Sequence, residues 1–350
     1  MSRTLRVRIL VLSSFFSLLV FLLYSAFVTK WKSYASPTSE DARIDLNALV
    51  SYARSNNKEQ DKAMEPPDFS SVKTLLLFIG YPRSGHTLVG CLLDAHPHVM
   101  LTNEYDLIYK WSTFSDWQKR KEFVFDELYR NAVGFDLKVR ERSSHVELKD
   151  GQSSVSKAFN YSVPHQWNGR YDEYVQVIGD KKGGNTSRTF ADVKSRDRLR
   201  DITTVVGVPV RFLHVIRNPF DNIATMAIRS EANRQFISDG KVLNNKQALT
   251  KNIIKYFIRV KVNRELRFTL NVLDVHSADM IKDPKSNLLR ICKFLQIECD
   301  DKYLQDCASI VFKSPSKTRN NVVWTSDIKH QIYSEMRKYS FFDRYNFTSD

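Results

Sequence analysis

The chain has 350 residues, 42% hydrophobic and 26% charged, with 11 Gly, 10 Pro and 4 Cys. This composition supplies a buried core and excludes collagen-like, low-complexity and disulfide-scaffold classes. Lysine and arginine outnumber aspartate and glutamate 53 to 39, a formal charge of +14, which points to an anionic partner: nucleic acid, membrane phospholipid, a phosphorylated cofactor or an acidic glycan.

Residues 1–8 carry Arg3, Arg6 and Arg8, and residues 9–28 contain no charge, a run about 30 Å long as a helix and sufficient for the bilayer core. The basic tail favours a cytosolic N-terminus, so the expectation is an uncleaved, single-pass type II anchor with the remainder luminal. A cleaved signal peptide is the competing reading, but the run exceeds the usual length of about 7 to 15 apolar residues and no clear A-x-A site follows. Residues 29–72 read as a polar, turn-rich stem, with one short helix around Asp45 to Arg54. Sequons at Asn160, Asn185 and Asn346 agree with a luminal position. Cys91 and Cys292 lie in apolar helical patterns and read as buried thiols. Cys299 and Cys307 bracket a short polar stretch and are the pair able to form a disulfide in an oxidising lumen. No His/Cys cluster has zinc spacing, so no metal is expected.

At Lys73 the character changes. A continuous apolar run, a Gly-containing turn and a helical pattern mark a buried parallel strand feeding a helix. Further strand candidates are His98 to Thr102, Tyr174 to Gly179, Val210 to Ile216 and Val272 to His276. Their alternation with helical patterns predicts an α/β fold, a P-loop-like parallel sheet with helices on both faces, forming one catalytic domain over residues 73–350.

Gly80 to Thr87 has the frame G-x-x-x-x-G-x-[ST], in which the backbone N–H groups from Ser84 to Thr87 converge on a phosphate at a helix N-terminus. The lysine of an ATPase loop is replaced by His86, and a cation stands three residues earlier as Arg83, which argues against Mg-ATP hydrolysis. The stretch Pro82-Arg83-Ser84-Gly85-His86-Thr87, continued by Leu93-Asp94-Ala95-His96-Pro97, resembles the first signature of the sulfotransferase superfamily. The resemblance is nearest to its Golgi members, with His86 where a threonine is common. It implies that this loop binds the 5′-phosphate of 3′-phosphoadenosine 5′-phosphosulfate (PAPS).

Further on, Val210 to Ile216 reads as a strand, Asn218 as an N-cap and Pro219 as the first helical residue, with Asp221 completing a capping-box-like pattern. Thr225 returns to the face of Asn218 after nearly two turns, so Arg217 and Thr225 can flank one phosphate. This pair resembles the family's 3′-phosphate motif, with Thr in place of Ser. A third stretch, from Val272 to Ile297, resembles the family's strand, acidic turn, proline and amphipathic helix, with an apolar face of Leu288, Leu289, Ile291, Cys292 and Leu295.

Sulfuryl transfer needs a base for the acceptor proton and positive charge at the leaving phosphate. Arg83 supplies a fixed cation. Lys181 resembles a lysine that several Golgi members present from the neighbouring strand, although Asp180-Lys181-Lys182 also reads as a solvated charged turn. Glu104, after the strand that follows His96-Pro97, matches the position of the family's proton acceptor; Asp106 competes with it. Ser314, Lys317, Thr318 and Arg319 form a late basic stretch that the resemblance places over the cofactor, an ordinary solvated loop being the alternative. Tyr161, Trp167 and Tyr171 either stack on sugar rings or pack a core. The reading is a Golgi PAPS-dependent sulfotransferase acting on a glycan, with no nucleic-acid partner. A tyrosylprotein sulfotransferase, a luminal nucleotide kinase and an inactive membrane-tethered glycan binder are the alternatives.

Overall fold

Thr74–Gly80 forms β1, and all seven residues are buried, as the unbroken apolar run predicts for a central parallel strand. In the computed structural model, which describes residues 67–134, 141–143, 158–230 and 242–349, this strand has neighbours on both sides. The five-stranded sheet also contains β2 (Val99–Thr102), β3 (Val177–Asp180), β4 (Val210–Ile216) and β5 (Val272–His276). Its order is β2-β3-β1-β4-β5, and every pairing is parallel. From β1 the chain crosses over to β2, and it later comes back to place β4 on the other side. The carboxyl end of β1 therefore lies at a switch in winding, where open α/β sheets form their ligand crevice.

Side-chain alternation along β1 builds both cores. Leu75, Leu77 and Ile79 enter one cluster, with Val124, Phe125 and Leu128 of α2 (Lys121–Gly134) and Leu199 and Ile202 of α4 (Lys194–Val206). Leu76 and Phe78 point the other way, onto Leu88 and Leu92 of α1 (His86–Leu93) and onto Leu288, Ile291 and Leu295 of α8 (Pro284–Leu295). Each such side chain contributes roughly 1.5–3 kcal/mol on burial, so a polar residue at any of these β1 positions would cost a large share of a typical folding free energy. A third cluster joins α5 (Pro219–Ile228), α6 (Lys246–Thr269) and α10 (Ser326–Met336) to Phe341, Phe342 and Tyr345. The expected helix-covered parallel sheet is thus present. Leu289, predicted on the buried face of α8, is instead exposed.

Among the described residues no helix is long and apolar enough to cross a membrane. The expected anchor at 9–28 and the stem through residue 66 lie outside the described residues. Packed structure starts slightly ahead of Lys73, with a 3-10 turn at Phe69–Ser71 capped by the Asp68 carboxylate and Phe69 set edge-on to Phe125 at 5.7 Å.

The cysteine pairing differs from expectation. Cys299 is bonded to Cys292, while Cys307 is a buried thiol 3.8 Å from the Leu92 carbonyl. The cause is local. Gln296 takes a left-handed φ of 62° at the end of α8, and this turns Cys299 back onto the last turn of that helix. Cys307 lies on the buried face of α9 (Asp301–Ser309), with its thiol pushed up to about 12 by burial.

Candidate active site

The carboxyl ends of the central strands open into a cleft of about 1250 Å³. Arg83 to Thr87, Glu104, Lys181, Arg217, Thr225, Ser314 and Thr318 line it, whereas Lys317 and Arg319 are not among its lining residues.

The turn after β1 is shaped by two left-handed residues around Ser84, Arg83 with φ 71° and Gly85 with φ 105°. A Cβ on Gly85 would meet only ordinary contact, 3.5 Å from Ser277, so glycine is required by the backbone angle rather than by space. The first bond of α1 runs from Val89 N–H to the Gly85 carbonyl at 3.3 Å. The preceding amides of His86, Thr87 and Leu88 therefore belong to the open first turn that suits an anion. Ser84 behaves differently from expectation. Its N–H and its hydroxyl both donate to the Tyr81 carbonyl, at 3.3 and 2.9 Å, so it shapes the turn from within.

His86 also turns inward. Its Nε2 is 3.2 Å from the Ile79 carbonyl and its Nδ1 3.1 Å from the Ser84 hydroxyl, in space left by Gly80, where a Cβ would come within 2.6 Å of the ring. Burial, aided by the Lys181 charge, holds this imidazole down to about 3, so at neutral pH it is an uncharged prop and only its backbone is available to a phosphate. Below the turn, the Tyr81 hydroxyl donates to His214 Nε2 at 2.9 Å, and His214 Nδ1–H donates to Asp274 at 2.9 Å. The Asp274 carboxylate is gripped in turn by Arg267.

Lys181 follows β3 directly. Its stem passes Gly90 of α1, where a Cβ would stand 2.9 Å from its Cγ, and only 5% of its side chain is exposed. Its Nζ lies 3.3 Å from Thr87 Oγ1 and 3.2 Å from Glu104 Oε1, while Lys182 takes the other Glu104 oxygen at 3.2 Å. Burial pushes the Glu104 carboxyl up, but the two ammonium groups outweigh it and hold it at about 2. Asp106, the competing base, accepts from the Asn185 amide through one oxygen, and its other oxygen is buried with no hydrogen-bond partner among the described residues. Of these two candidate bases Glu104 lines the cleft and Asp106 does not.

Arg217 and Thr225 come together as their spacing predicts. Asn218 caps α5 through its side chain, and nearly two turns later Thr225 Oγ1 donates to the Asp221 carbonyl at 2.8 Å while accepting from Arg217 Nη1 at 3.1 Å. Arg217 also reaches the Arg83 carbonyl at 3.2 Å, the Ser316 carbonyl at 2.8 Å and the Thr318 hydroxyl at 3.0 Å. It is the bridge between the β1 turn, α5 and the late loop.

Arg319 departs from its expected role beside the cofactor. It is 1% exposed, its N–H and guanidinium engage Asp221 at 2.9 and 3.6 Å, and it donates to the Ser349 carbonyl at 2.5 Å. Asp221, read as part of a capping box, is consumed by this contact. Ser314 and Thr318 remain on the cleft side.

Other expected residues are structural. The Asp94 carboxylate accepts the Leu101 N–H at 2.8 Å, and His96 Nε2–H donates to the Glu298 carbonyl at 2.7 Å, so the Leu93-to-Pro97 stretch braces α1 against β2. Of the three aromatics, Tyr161 lines the cleft, packed edge-on to Phe312 at 6.4 Å, and Tyr171 packs on Tyr129. Asn185, a sequon residue, lines the cleft through the same side chain that holds Asp106. Asn346 is exposed; the side chain of Asn160 is not among the described groups.

Sequence reasoning missed three residues. Asn222, one turn after Asn218, donates to the Pro82 carbonyl at 2.5 Å, and Arg229, one turn after Thr225, lines the cleft; helical spacing would have found both. Arg259 arrives from α6, with Nε on the Gly184 carbonyl at 2.9 Å, and no local pattern announces it.

A family model described as "Sulfotransferase family" matches residues 76–301. Among solved structures, similar chains include the mouse sulfotransferase SULT7A1 complexed with PAP, at 14% identity and a TM-score of 0.40, covering 79% of this chain and 87% of that one. The Mycobacterium avium sulfotransferase STF9 is 10% identical with a TM-score of 0.41, covering 83% and 81%. The sulfotransferase domain of the Synechococcus PCC 7002 olefin synthase is 15% identical with a TM-score of 0.40, covering 69% and 80%. The search of curated proteins gave no match.

Proposed function

The chain belongs to the sulfotransferase family, whose model spans more than half of it, and from that premise we propose that it transfers the sulfuryl group of PAPS to a glycan hydroxyl. The proposal places it as a type II protein of the Golgi membrane, with the cleft on the luminal side, on the strength of the charge-free run at 9–28.

One observation carries the choice of donor. Arg217, Thr225 and Thr318 meet beside the β1 turn and face the same cleft, so a second anion site stands next to the first. A donor with phosphates at both the 5′ and 3′ positions suits that pair of sites, and an ordinary nucleoside triphosphate does not require it. The donor set fits on chemical grounds too, with open first-turn amides, guanidinium groups and hydroxyls facing the cleft. A donor held there would supply an activated sulfuryl group, its S–O bond to phosphate breaking as the new S–O bond to the acceptor forms.

The protein's own residues supply position and charge. Lys181, held between Thr87 and Glu104, is placed to meet the charge gathering on the leaving phosphate oxygen, and Arg83 adds a cation that never loses its proton. Glu104 takes the acceptor proton. Its ion pairs make it a weak base in the free protein; as Lys181 turns to the leaving oxygen, one of those pairs is released and the carboxylate becomes more basic when the proton must move.

The test is transfer of radiolabelled sulfate from PAPS across a panel of glycans and tyrosine peptides. Glycosidase-sensitive label on a glycan is the expected result. Label confined to tyrosine peptides would replace the acceptor class, and phosphorylation from Mg-ATP without sulfate transfer would overturn the donor assignment.

A further inference from the structure

Asp180 is 2% exposed and lies at the last position of β3, immediately before Lys181. Its carboxylate accepts three consecutive backbone N–H groups. Oδ1 takes Tyr105 at 3.0 Å, and Oδ2 takes Asp106 at 2.8 Å and Leu107 at 3.0 Å. The next residue works on the other side of the same turn, where Lys181 N–H donates to the Thr102 carbonyl at 2.9 Å and Lys181 Nζ reaches Glu104.

Asn103 and Glu104 are therefore pinned from both ends by two adjacent buried residues, the last of β3 and the one that follows it. The turn between the pins is not one a chain adopts unaided, because Glu104 and Asp106 both have left-handed backbones, with φ of 67° and 71°. Such angles persist at non-glycine residues where surrounding contacts over-determine them, and they concentrate at functional sites. A carboxylate holding three amides in a row is that kind of contact, because each oxygen can accept more than one hydrogen bond while carrying the charge that strengthens them.

We propose that Asp180 is a positioning residue for catalysis, its three amide bonds holding the left-handed turn that presents Glu104 to the acceptor; this rests on Glu104 being the base. Asp180→Asn keeps the shape but turns one carboxylate oxygen into an N–H donor, which faces a backbone donor and breaks at least one of the bonds.

The test uses the full-length chain and three readouts. Hydrogen exchange at the amides of Tyr105, Asp106 and Leu107 should rise in Asp180→Asn while exchange in β1 and β4 stays unchanged. Turnover with the acceptor labelled in the panel should fall by up to about 100-fold, the scale of a small misplacement, with affinity for adenosine 3′,5′-bisphosphate preserved. Combined with Glu104→Gln, Asp180→Asn should cost nothing further, because a residue that acts through another is silent once that other is gone. Losses that multiply, or unaltered exchange at the three amides, overturn the inference and leave the base reading standing. A Glu104→Gln protein with wild-type turnover overturns the base reading and the catalytic role of Asp180 with it. Should Asp180→Asn fail to fold, exchange in the wild-type chain decides: protection of the three amides matching that of β3 is expected, and exchange at loop rates overturns the proposal.

Discussion

Replacing Arg217 by alanine is the sharpest probe of how the cleft reads its nucleotide. The guanidinium makes four contacts through its Nη atoms, two to carbonyls (Arg83 and Ser316) and two to hydroxyls (Thr225 and Thr318). The carbonyl contacts fix the side chain. The hydroxyl contacts are the exchangeable ones, because Thr225 and Thr318 can rotate to donate to an incoming phosphate. On the proposed assignment Arg217→Ala should remove at least one charged hydrogen bond to the 3′-phosphate, worth roughly 1.5–3 kcal/mol, or about 10- to 150-fold in affinity. The β1 turn keeps an independent anchor, since Asn222 holds the Pro82 carbonyl, so adenosine 5′-phosphate should lose little. Arg217→Lys keeps the charge without the fork and should fall between the two. Calorimetric titration with adenosine 3′,5′-bisphosphate and with adenosine 5′-phosphate separates the cases. Equal losses for the two nucleotides would refute the assignment of Arg217 to the 3′-phosphate.

Glu104→Gln should lower turnover by about 10²- to 10⁴-fold under conditions where chemistry limits the rate, with adenosine bisphosphate binding nearly intact; retention of more than about a tenth of turnover would exclude a general base there. His86 makes the fold acid-sensitive: burial holds its folded value at about 3, below the ordinary 6.5, so the unfolded chain binds the proton first. Its contribution to stability is full above 6.5 and falls as pH drops toward 3, by up to about 1.4 kcal/mol per pH unit, a slope that denaturant melts should show and His86→Thr should remove at the cost of a cavity. Glu104 acts at lower pH, its contribution being complete above 4.5 and lost as pH falls toward 2. Cys299→Ser opens a closed loop with a sequence separation of 7 and should lower the unfolding free energy by about 2–3 kcal/mol, whereas Cys307→Ser should leave the disulfide intact on a mass map.

The sheet was legible because its signal is local: the apolar run at Thr74–Gly80 and the strand ahead of Arg217 each announce themselves within a few residues. The partnership of Arg217 with Thr225 was legible for the same reason, since helical geometry alone sets it. The fates of Arg319 and His86 were not. Whether Arg319 in the late segment and His86 at the start of α1 face the cleft or the interior depends on packing that no local pattern announces, Asp221 and Ser349 for one, the space at Gly80 and the Ile79 carbonyl for the other. Cysteine spacing failed similarly, because a single left-handed residue, Gln296, decided which pair could meet. Asp180 escaped notice because a carboxylate in a run of charges looks solvated until its three amides are seen.

The late loop bears on how nucleotide gets in and out. Arg319 fastens it to α5 and to the carbonyls of Asn346 and Ser349, Trp324 ties its indole to the Arg319 carbonyl, and Arg217 grips it at Ser316 and Thr318. A segment held at so many points is a wall rather than a flap. On the proposed reading the donor would enter without this wall swinging aside, and salt, by screening the cations around the mouth, would slow its arrival.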